Sequence, residues 1–354
     1  MIAVDARYLR RANVGISVYL RDLIAELLAG YRLVLLTSSD AHARRLRIEY
    51  PACDTVVLPE RRELVWEQRL LPRFLARARP DAYIAGANRG LPARSPRGTR
   101  LILVVHDLIP LRWPVRHLLR DPFRGARYVH GTALSLARAD LVIANSRSTA
   151  TDVATLRRRR TVTVRYPTIP SLRAAGTLPA GWPEGFLLHC GGADPRKNVE
   201  RLLAAHAGYL ADGGTLPLVV LGTGFDALRA KLRGGPALAG AVFAGQVSEE
   251  LKWRALAHAT AVLYPSSWEG FGLPILEAFS AGTAVMAGLG GAQREVGGDA
   301  ALYVDGRDRD AIGDGIWRVL DPGWQAAAPA RGYAQLELLR HARRDALEIV
   351  GGLL

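Results

Sequence analysis

The sequence predicts an α/β protein made of two doubly wound, Rossmann-like halves. Three observations predict it. Short apolar runs alternate with amphipathic stretches along the chain, the rhythm of parallel strands joined by helices. One of those runs is almost wholly apolar, Arg-Leu-Ile-Leu-Val-Val at Arg100–Val105, the pattern of a strand buried on both faces. Near the middle, Pro167, Pro170, Pro179 and Pro183 with Gly176 and Gly181 make the clearest linker in the chain. The expected organisation is a first domain over 1–170, a second over 171–330, and a C-terminal helix over 331–354 free to pack back on the first.

In the first half, residues 2–5 read as a strand ending in Asp5, and an Arg-rich loop leads to Gly15. Leu20, Leu23, Ile24, Leu27 and Leu28 then recur with the helical period, and Gly30 ends that helix. Arg32–Thr37, Asp54–Leu58 and the stretch opening at Pro80–Ile84 are further strands, with a helix predicted over Leu64–Arg79. Arg100–Val105 runs into His106, at the carboxyl edge of a strand, where open α/β sheets meet their ligands. Arg112, Arg116, Arg120 and Arg124 recur every four residues and Arg127 follows three later, a basic stripe that Pro114 and Pro122 keep from being one helix. Ala139–Ala144 is a strand, Asn145–Thr149 a turn and helix cap, and Arg157–Arg160 a basic run expected to face solvent.

The second half restarts with the strand Phe186–Cys190, a loop Gly191–Asn198 and the helix Val199–Leu210. Glycines followed by the basic pair Arg196-Lys197, between a strand and a helix, make an anion cradle suited to phosphate oxygens. Leu216–Leu221, Ala241–Ala244, Ala261–Tyr264 and Thr283–Ala287 are strands, and a final helix is expected over Ala330–Val350. After Ala261–Tyr264 comes Ser266-Ser267-Trp268-Glu269-Gly270-Phe271-Gly272-Leu273-Pro274-Ile275-Leu276-Glu277. The glycines permit a tight turn, and Pro274 suits the first position of a helix, where a missing N–H costs nothing. Glu269 is then on a loop and Glu277 about one turn into the helix. A helix N-terminus between two carboxylates would suit a diphosphate flanked by hydroxyl-bearing groups.

Charge is uneven. Up to residue 170 the chain has 30 Arg, no Lys and 14 acids, net +16, against 17 bases and 19 acids, net −2, in the remainder. Nucleic acid, anionic membrane and an anionic acceptor are the partner classes that such a half attracts. Glycine loops and paired glutamates have no use in nucleic-acid binding, and no recognition motif supports it, so that class is set aside. Cys53 and Cys190 lack metal or redox spacing, which suits a reducing cytoplasm. Met1–Asp5 reads as a strand rather than a signal peptide, and no apolar run approaches the roughly 20 residues of a membrane span.

Together the motifs resemble retaining glycosyltransferases of family 4, with the GT-B fold, over nearly the whole chain. The resemblance is carried by Asp5-Ala6-Arg7 with Gly15-Ile16, by His106-Asp107-Leu108-Ile109-Pro110, by Asp194-Pro195-Arg196-Lys197-Asn198, and by the two-glutamate stretch Pro265–Ala278. Within the family it is similar to bacterial mannosyltransferase-like enzymes of surface-polysaccharide assembly. The resemblance implies two Rossmann-like domains facing a central cleft, acceptor side first and donor side second. It implies that Glu277 binds the ribose hydroxyls and that Arg196 and Lys197 neutralise the diphosphate leaving group. Glu269, with the backbone of Phe271, Gly272 and Leu273, would hold the donor, and His106 would hydrogen-bond the donor sugar near the reacting carbon. Gly15 would admit the N-terminal loop to donor or acceptor, and the base would lie by Gln246 and Val247. The implied co-substrate is a nucleoside-diphosphate hexose, a GDP-sugar favoured, with no metal and no other cofactor. The implied acceptor is a saccharide or polyprenyl-linked saccharide, met by a cytoplasmic enzyme whose basic half touches the inner membrane face. One departure stands out: many relatives carry Arg after the first glycine of the diphosphate loop, and this chain has Gly192. The alternative it raises is a catalytically inactive sugar-nucleotide-binding subunit.

Overall fold

A computed structural model of the chain describes residues 1–10, 15–112, 122–156, 161–169, 171 and 176–354. Two compact units form, Met1–Thr168 with Arg343–Leu354, and Ile169–Ala342.

The first unit holds seven strands: β1 (Ile2–Asp5), β2 (Leu33–Thr37), β3 (Asp54–Val57), β4 (Ala82–Ala85), β5 (Arg100–Val105), β6 (Leu141–Ala144) and β7 (Thr161–Val164), in the order β3-β2-β1-β4-β5-β6-β7. Every pairing is parallel, for example Val4 against Leu35 and Ile102 against Leu141. The inner strands β1, β2, β4 and β6 are buried along their whole length, as unbroken apolar runs require when helices cover both faces. Helix α1 (Gly15–Leu27) buries Tyr19, Leu20, Leu23, Ile24 and Leu27 on the sheet, at helical spacing. The second unit repeats the topology with β8 (Leu187–Cys190), β9 (Leu218–Leu221), β10 (Ala241–Gly245), β11 (Ala261–Tyr264), β12 (Ala284–Gly288) and β13 (Ala301–Val304), in the order β10-β9-β8-β11-β12-β13 and parallel throughout. Each sheet therefore reverses its winding at one point, between β1 and β4 and between β8 and β11, and such a switch point leaves a crevice at the strands' carboxyl ends. The doubly wound α/β class read from the sequence is what both units adopt.

Three local expectations need correcting. The helix expected over Leu64–Arg79 is interrupted by a wider turn, Trp66–Leu70, before Leu71–Ala78, because Pro72 has no N–H for the regular ladder. The final helix expected over Ala330–Val350 is two helices, Pro322–Ala342 and Ala346–Gly351. Asp345 starts the second by accepting the N–H of Leu347 at 2.6 Å. The short strands β7 and β13 carry no strong apolar run and went unread; each lies at a sheet edge with one ladder partner. Of the basic stripe, Arg112 pairs with Asp152 at 3.0 Å and Arg127 with Glu63 at 3.4 Å. Arg116, Arg120 and Arg157–Arg160 lie outside the described residues.

The break before Ala346 has an electrostatic cause. Arg343 reaches Asp22 and Glu26 on α1, and Glu26 also accepts the N–H of Ala346 at 2.8 Å. Arg165, wholly buried, meets the same pair at 2.7 and 2.8 Å. Two guanidiniums thus balance two carboxylates. Removing one partner of a buried cluster strands the remaining charges, so Arg165→Ala should destabilise the first unit by about 3–5 kcal/mol. Urea unfolding followed by circular dichroism measures this, and a loss under about 1 kcal/mol would contradict it.

Candidate functional site

At the second unit's switch point, β8 ends at Cys190 and its neighbour β11 at Tyr264. The loop after β8 and the loop after β11 are stitched to each other. Asp194 caps a short turn by accepting the N–H of Arg196 at 3.0 Å. Asn198, in left-handed backbone with φ 55°, turns its Nδ2 to donate to the Pro265 carbonyl at 2.8 Å. In return the N–H of Ser267 donates to the Arg196 carbonyl at 2.7 Å, and Arg196 Nη1 donates to the Trp268 carbonyl at 2.8 Å.

Glu269 sits at the join. It is only 7% exposed, and both of its oxygens are met. Oε1 accepts the Tyr264 hydroxyl at 2.6 Å, and Oε2 pairs with Arg196. Burial and the adjacent carboxylate push the Tyr264 hydroxyl far above its usual range, so it stays a donor. Burial works against the Arg196 charge, yet Glu269 outweighs it and holds the guanidinium ionised. Behind Glu269 the chain after β12 comes very close. A Cβ at Gly291 would overlap the Glu269 carbonyl, and one at Gly290 that of Ser267, so these positions have room only for glycine. Gln293, fully buried, fastens this layer by donating to the carbonyls of Ser266 at 2.8 Å and Gly290 at 2.9 Å.

Lys197 is placed differently from Arg196. Its Nζ lies 5.3 Å from the centre of the Tyr264 ring, and among the described residues it forms no ion pair. Burial lowers its pKa, with Glu269 pulling the other way. Its ammonium position is thus left without a carboxylate among the described residues. Glu277 lies in the second turn of the helix Leu273–Ser280, whose cap Gly272 takes φ 109°. Its Oε1 pairs with Lys252 Nζ at 2.8 Å, and Lys252 also meets Glu249 at 2.9 Å. Burial opposes the charge on Lys252, and the two carboxylates more than restore it. Lys252 belongs to the helix Glu249–His258, which starts directly after Gln246 and Val247 and is capped by Ser248. Gln246 is exposed, Val247 and Leu273 half-buried, and Phe271 buried.

The structure therefore brings Arg196, Lys197, Glu269, Phe271, Gly272 and Leu273 into one constellation and joins Glu277 to the Gln246–Val247 segment through Lys252. Sequence reasoning missed Tyr264, Lys252, Gln293 and Gly291. One signal was available for Lys252: lysine occurs in this Arg-rich chain only at 197, 231 and 252, and two of those positions are here. The sequence reading takes the chain to hold no Asp-x-Asp motif, and that is wrong: the spacing occurs at Asp308-Arg309-Asp310, where Asp308 caps the helix Arg309–Val319 and Arg309 pairs with Asp310 at 2.6 Å. Among the described residues no group of three or more His, Cys, Asp or Glu side chains is arranged to hold a metal.

In the first unit, His106 follows β5. Its N–H donates to Asn88 Oδ1 at 2.7 Å, and its Nε2 lies 2.9 Å from the Gly86 carbonyl. A carbonyl only accepts, so the ring proton is on Nε2 and Nδ1 carries the lone pair. Burial lowers the pKa to about 4, so the ring is neutral at physiological pH. Asp5 ends β1 and is gripped by Arg7 at 2.7 Å; Arg7 also pairs with Glu67 at 3.0 Å and stacks over Trp66. Gly15 is the exposed first residue of α1. Position 192, where Gly stands, has a Cβ direction within ordinary contact of the Thr223 carbonyl, at 3.4 Å.

Comparison with known proteins covers both units. Residues 14–170 match a family model described as Glycosyltransferase Family 4, and residues 184–322 one described as Glycosyl transferases group 1. O-antigen chain mannosyltransferase B of Escherichia coli is 38% identical over 157 residues, 43% of this chain and 41% of that protein, so the match spans well under half of the relative. Sucrose-phosphate synthase of Thermosynechococcus elongatus superposes with a TM-score of 0.73 at 21% identity, covering 99% of this chain and 97% of the other. HepE of Anabaena, solved with UDP and glucose, gives 0.69 at 16% identity with the same coverage. At those identities the likeness establishes the fold, the GT-B class anticipated from the motifs.

Glu269 is buried with both oxygens engaged, so Tyr264→Phe deletes a donor it cannot replace. The expected cost is about 1–3 kcal/mol in the unfolding of the second unit. Denaturant titration reads it, and an unchanged midpoint would show that Tyr264 does not support Glu269.

Proposed function

We propose, on the premise that this chain belongs to the group 1 and family 4 glycosyltransferases, that it moves a hexosyl residue from a nucleoside-diphosphate sugar to a saccharide or polyprenyl-linked saccharide, with retention and without metal. The observation that carries the reading is Lys197, a half-buried lysine with no ion partner among the described residues, set beside the Arg196–Glu269 pair at a switch point. A mannosyl donor carried on GDP is favoured, in keeping with the partial likeness to an O-antigen mannosyltransferase.

In this reading the donor's diphosphate lies against Lys197 and the positive end of the helix Leu273–Ser280. Glu277, fixed by Lys252, accepts the ribose hydroxyls, and the base lies along Gln246 and Val247. Glu269 positions the sugar rather than attacking it, since Tyr264 and Arg196 already occupy its oxygens. The sugar C1–O bond breaks as the acceptor oxygen bonds C1 from the same face, and the acceptor proton passes to the departing phosphate. Leaving-group charge grows in that step, and fixed cations with helix-end dipoles stabilise it without reorganising. Arg196 serves both Glu269 and the diphosphate, which covers the position where Gly192 replaces an arginine. His106 contributes a hydrogen bond to the sugar. No helix among the described residues is long and apolar enough to cross a membrane. The reading places the protein in the cytoplasm, with the net +16 of residues 1–170 resting on anionic lipid at the inner face.

A thermal-shift panel of GDP-, UDP-, ADP- and dTDP-sugars tests the donor; stabilisation by GDP-mannose above the others is expected, and no response from any would sink the reading. Glu277→Ala should weaken nucleotide binding by about 1.5–3 kcal/mol, measured by calorimetry, with equal affinity removing the ribose role. His106→Ala should lower kcat about tenfold or more while leaving nucleotide affinity near wild type. Turnover of any sugar nucleotide by the purified protein excludes the non-catalytic alternative.

A further inference from the structure

We infer that Tyr19 is a positioning residue for His106: its ring holds the imidazole so that Nδ1 faces the substrate as a hydrogen-bond acceptor. The inference rests on the glycosyl-transfer reading and adds a residue to it.

The two rings meet edge to face, with centroids 5.1 Å apart and planes at 89°. Tyr19 is 2% exposed, so it both shields the imidazole from water and fixes its plane. Gly86 anchors Nε2, and Asn88 anchors the backbone and is itself held by the Tyr128 hydroxyl at 2.6 Å. With the plane fixed by Tyr19 and one nitrogen bound to Gly86, the direction of the other nitrogen follows. An acceptor nitrogen suits a sugar hydroxyl, which donates to it.

Tyr19 is in turn unusually well held. Its hydroxyl donates to the Arg165 carbonyl at 3.0 Å, and the Arg165 guanidinium stands 5.1 Å from its ring. Arg165 grips Asp22 and Glu26, which follow Tyr19 by three and by seven residues along the same face of α1. Arg343 grips the same carboxylates where the chain re-enters this unit. So the segments at which the chain leaves and re-enters the unit both bear on the helix that carries Tyr19.

Among the described residues, the groups that contact His106 are Tyr19 from α1, Gly86 and Asn88 from the segment after β4, and Thr149 from the helix Arg147–Leu156, whose hydroxyl donates to the His106 carbonyl at 3.4 Å; none of these four is charged at neutral pH. Burial is what lowers the His106 pKa, to about 4, so admitting water at Tyr19 should return it toward 6.5.

The test has two arms on the full-length protein. In the first, the tautomer and titration of His106 are read by 15N NMR of the histidine rings without ligand. Wild type should hold Nε2–H and stay neutral to about pH 5, whereas Tyr19→Leu should give mixed tautomers and a midpoint above pH 5.5; an unaltered tautomer and midpoint in Tyr19→Leu would overturn the inference. In the second, GDP release from GDP-mannose is followed for Tyr19→Phe, Tyr19→Leu, His106→Ala and the double variant. Tyr19→Phe, which keeps the ring, should stay within about twofold of wild type, and Tyr19→Leu should lower kcat about tenfold with little change in donor KM. In the His106→Ala background Tyr19→Leu should cost nothing more, because it acts through the missing ring; multiplicative losses would mean that its effect is only structural. If Tyr19→Leu does not fold, Tyr19→Met takes its place in both arms. Full activity of His106→Ala would sink the proposed role of His106, and this inference with it. Turnover that falls in His106→Ala but is unmoved by Tyr19→Leu would sink this inference alone.

Discussion

A buried carboxylate must find partners for both of its oxygens, and in the second unit Glu269 finds one at a strand end and one on a separate loop. Tyr264 comes from the end of β11 and Arg196 from the loop after β8. Meeting that demand draws the loops together, and the backbone bonds of Ser267 and Asn198 close around the join. The glycines at 290 and 291 follow from the same demand, since a third segment must pass within contact of carbonyls already fixed. The proposed donor site is the surface that remains when these partners have been satisfied. Lys197 stays available because Arg196 has taken the carboxylate.

The first unit obeys the same rule with two carboxylates. Asp22 and Glu26 are one turn apart on α1, and the only cations that reach both among the described residues come from distant stretches, Arg165 and Arg343. That choice breaks the C-terminal helix in two and commits its last segment to the first unit. It also fixes the face of α1 on which Tyr19 meets His106.

Arginine and lysine divide the work. The chain has 44 Arg and 3 Lys, so each lysine stands against a strong compositional bias. Arg196 and Arg165 fork across carboxylates, the geometry a planar guanidinium fits. Lys197 and Lys252 are compact point charges in tight surroundings, one crossing directly over Gly191 and the other bridging Glu249 and Glu277.

The amino-acid sequence by itself determined the α/β class, the alternation of strands and helices, and the motif residues, because these depend on local periodicity and on glycine and proline chemistry. Glu269, Glu277, Arg196, Lys197 and His106 were legible as candidates for that reason. The edge strands β7 and β13 were less so, since a strand with one partner needs no strong apolar pattern. Tertiary structure alone decided which charges are paired. Glu269 with Tyr264, Glu277 with Lys252, and Asp22 with Arg165 and Arg343 are separated by 5, 25, 143 and 321 residues. Even the shortest of these runs from a strand end to a loop whose path only the fold fixes. No periodicity encodes such pairings. They arise because burial makes an unmet charge costly, and the fold determines which distant partner is near enough to meet it.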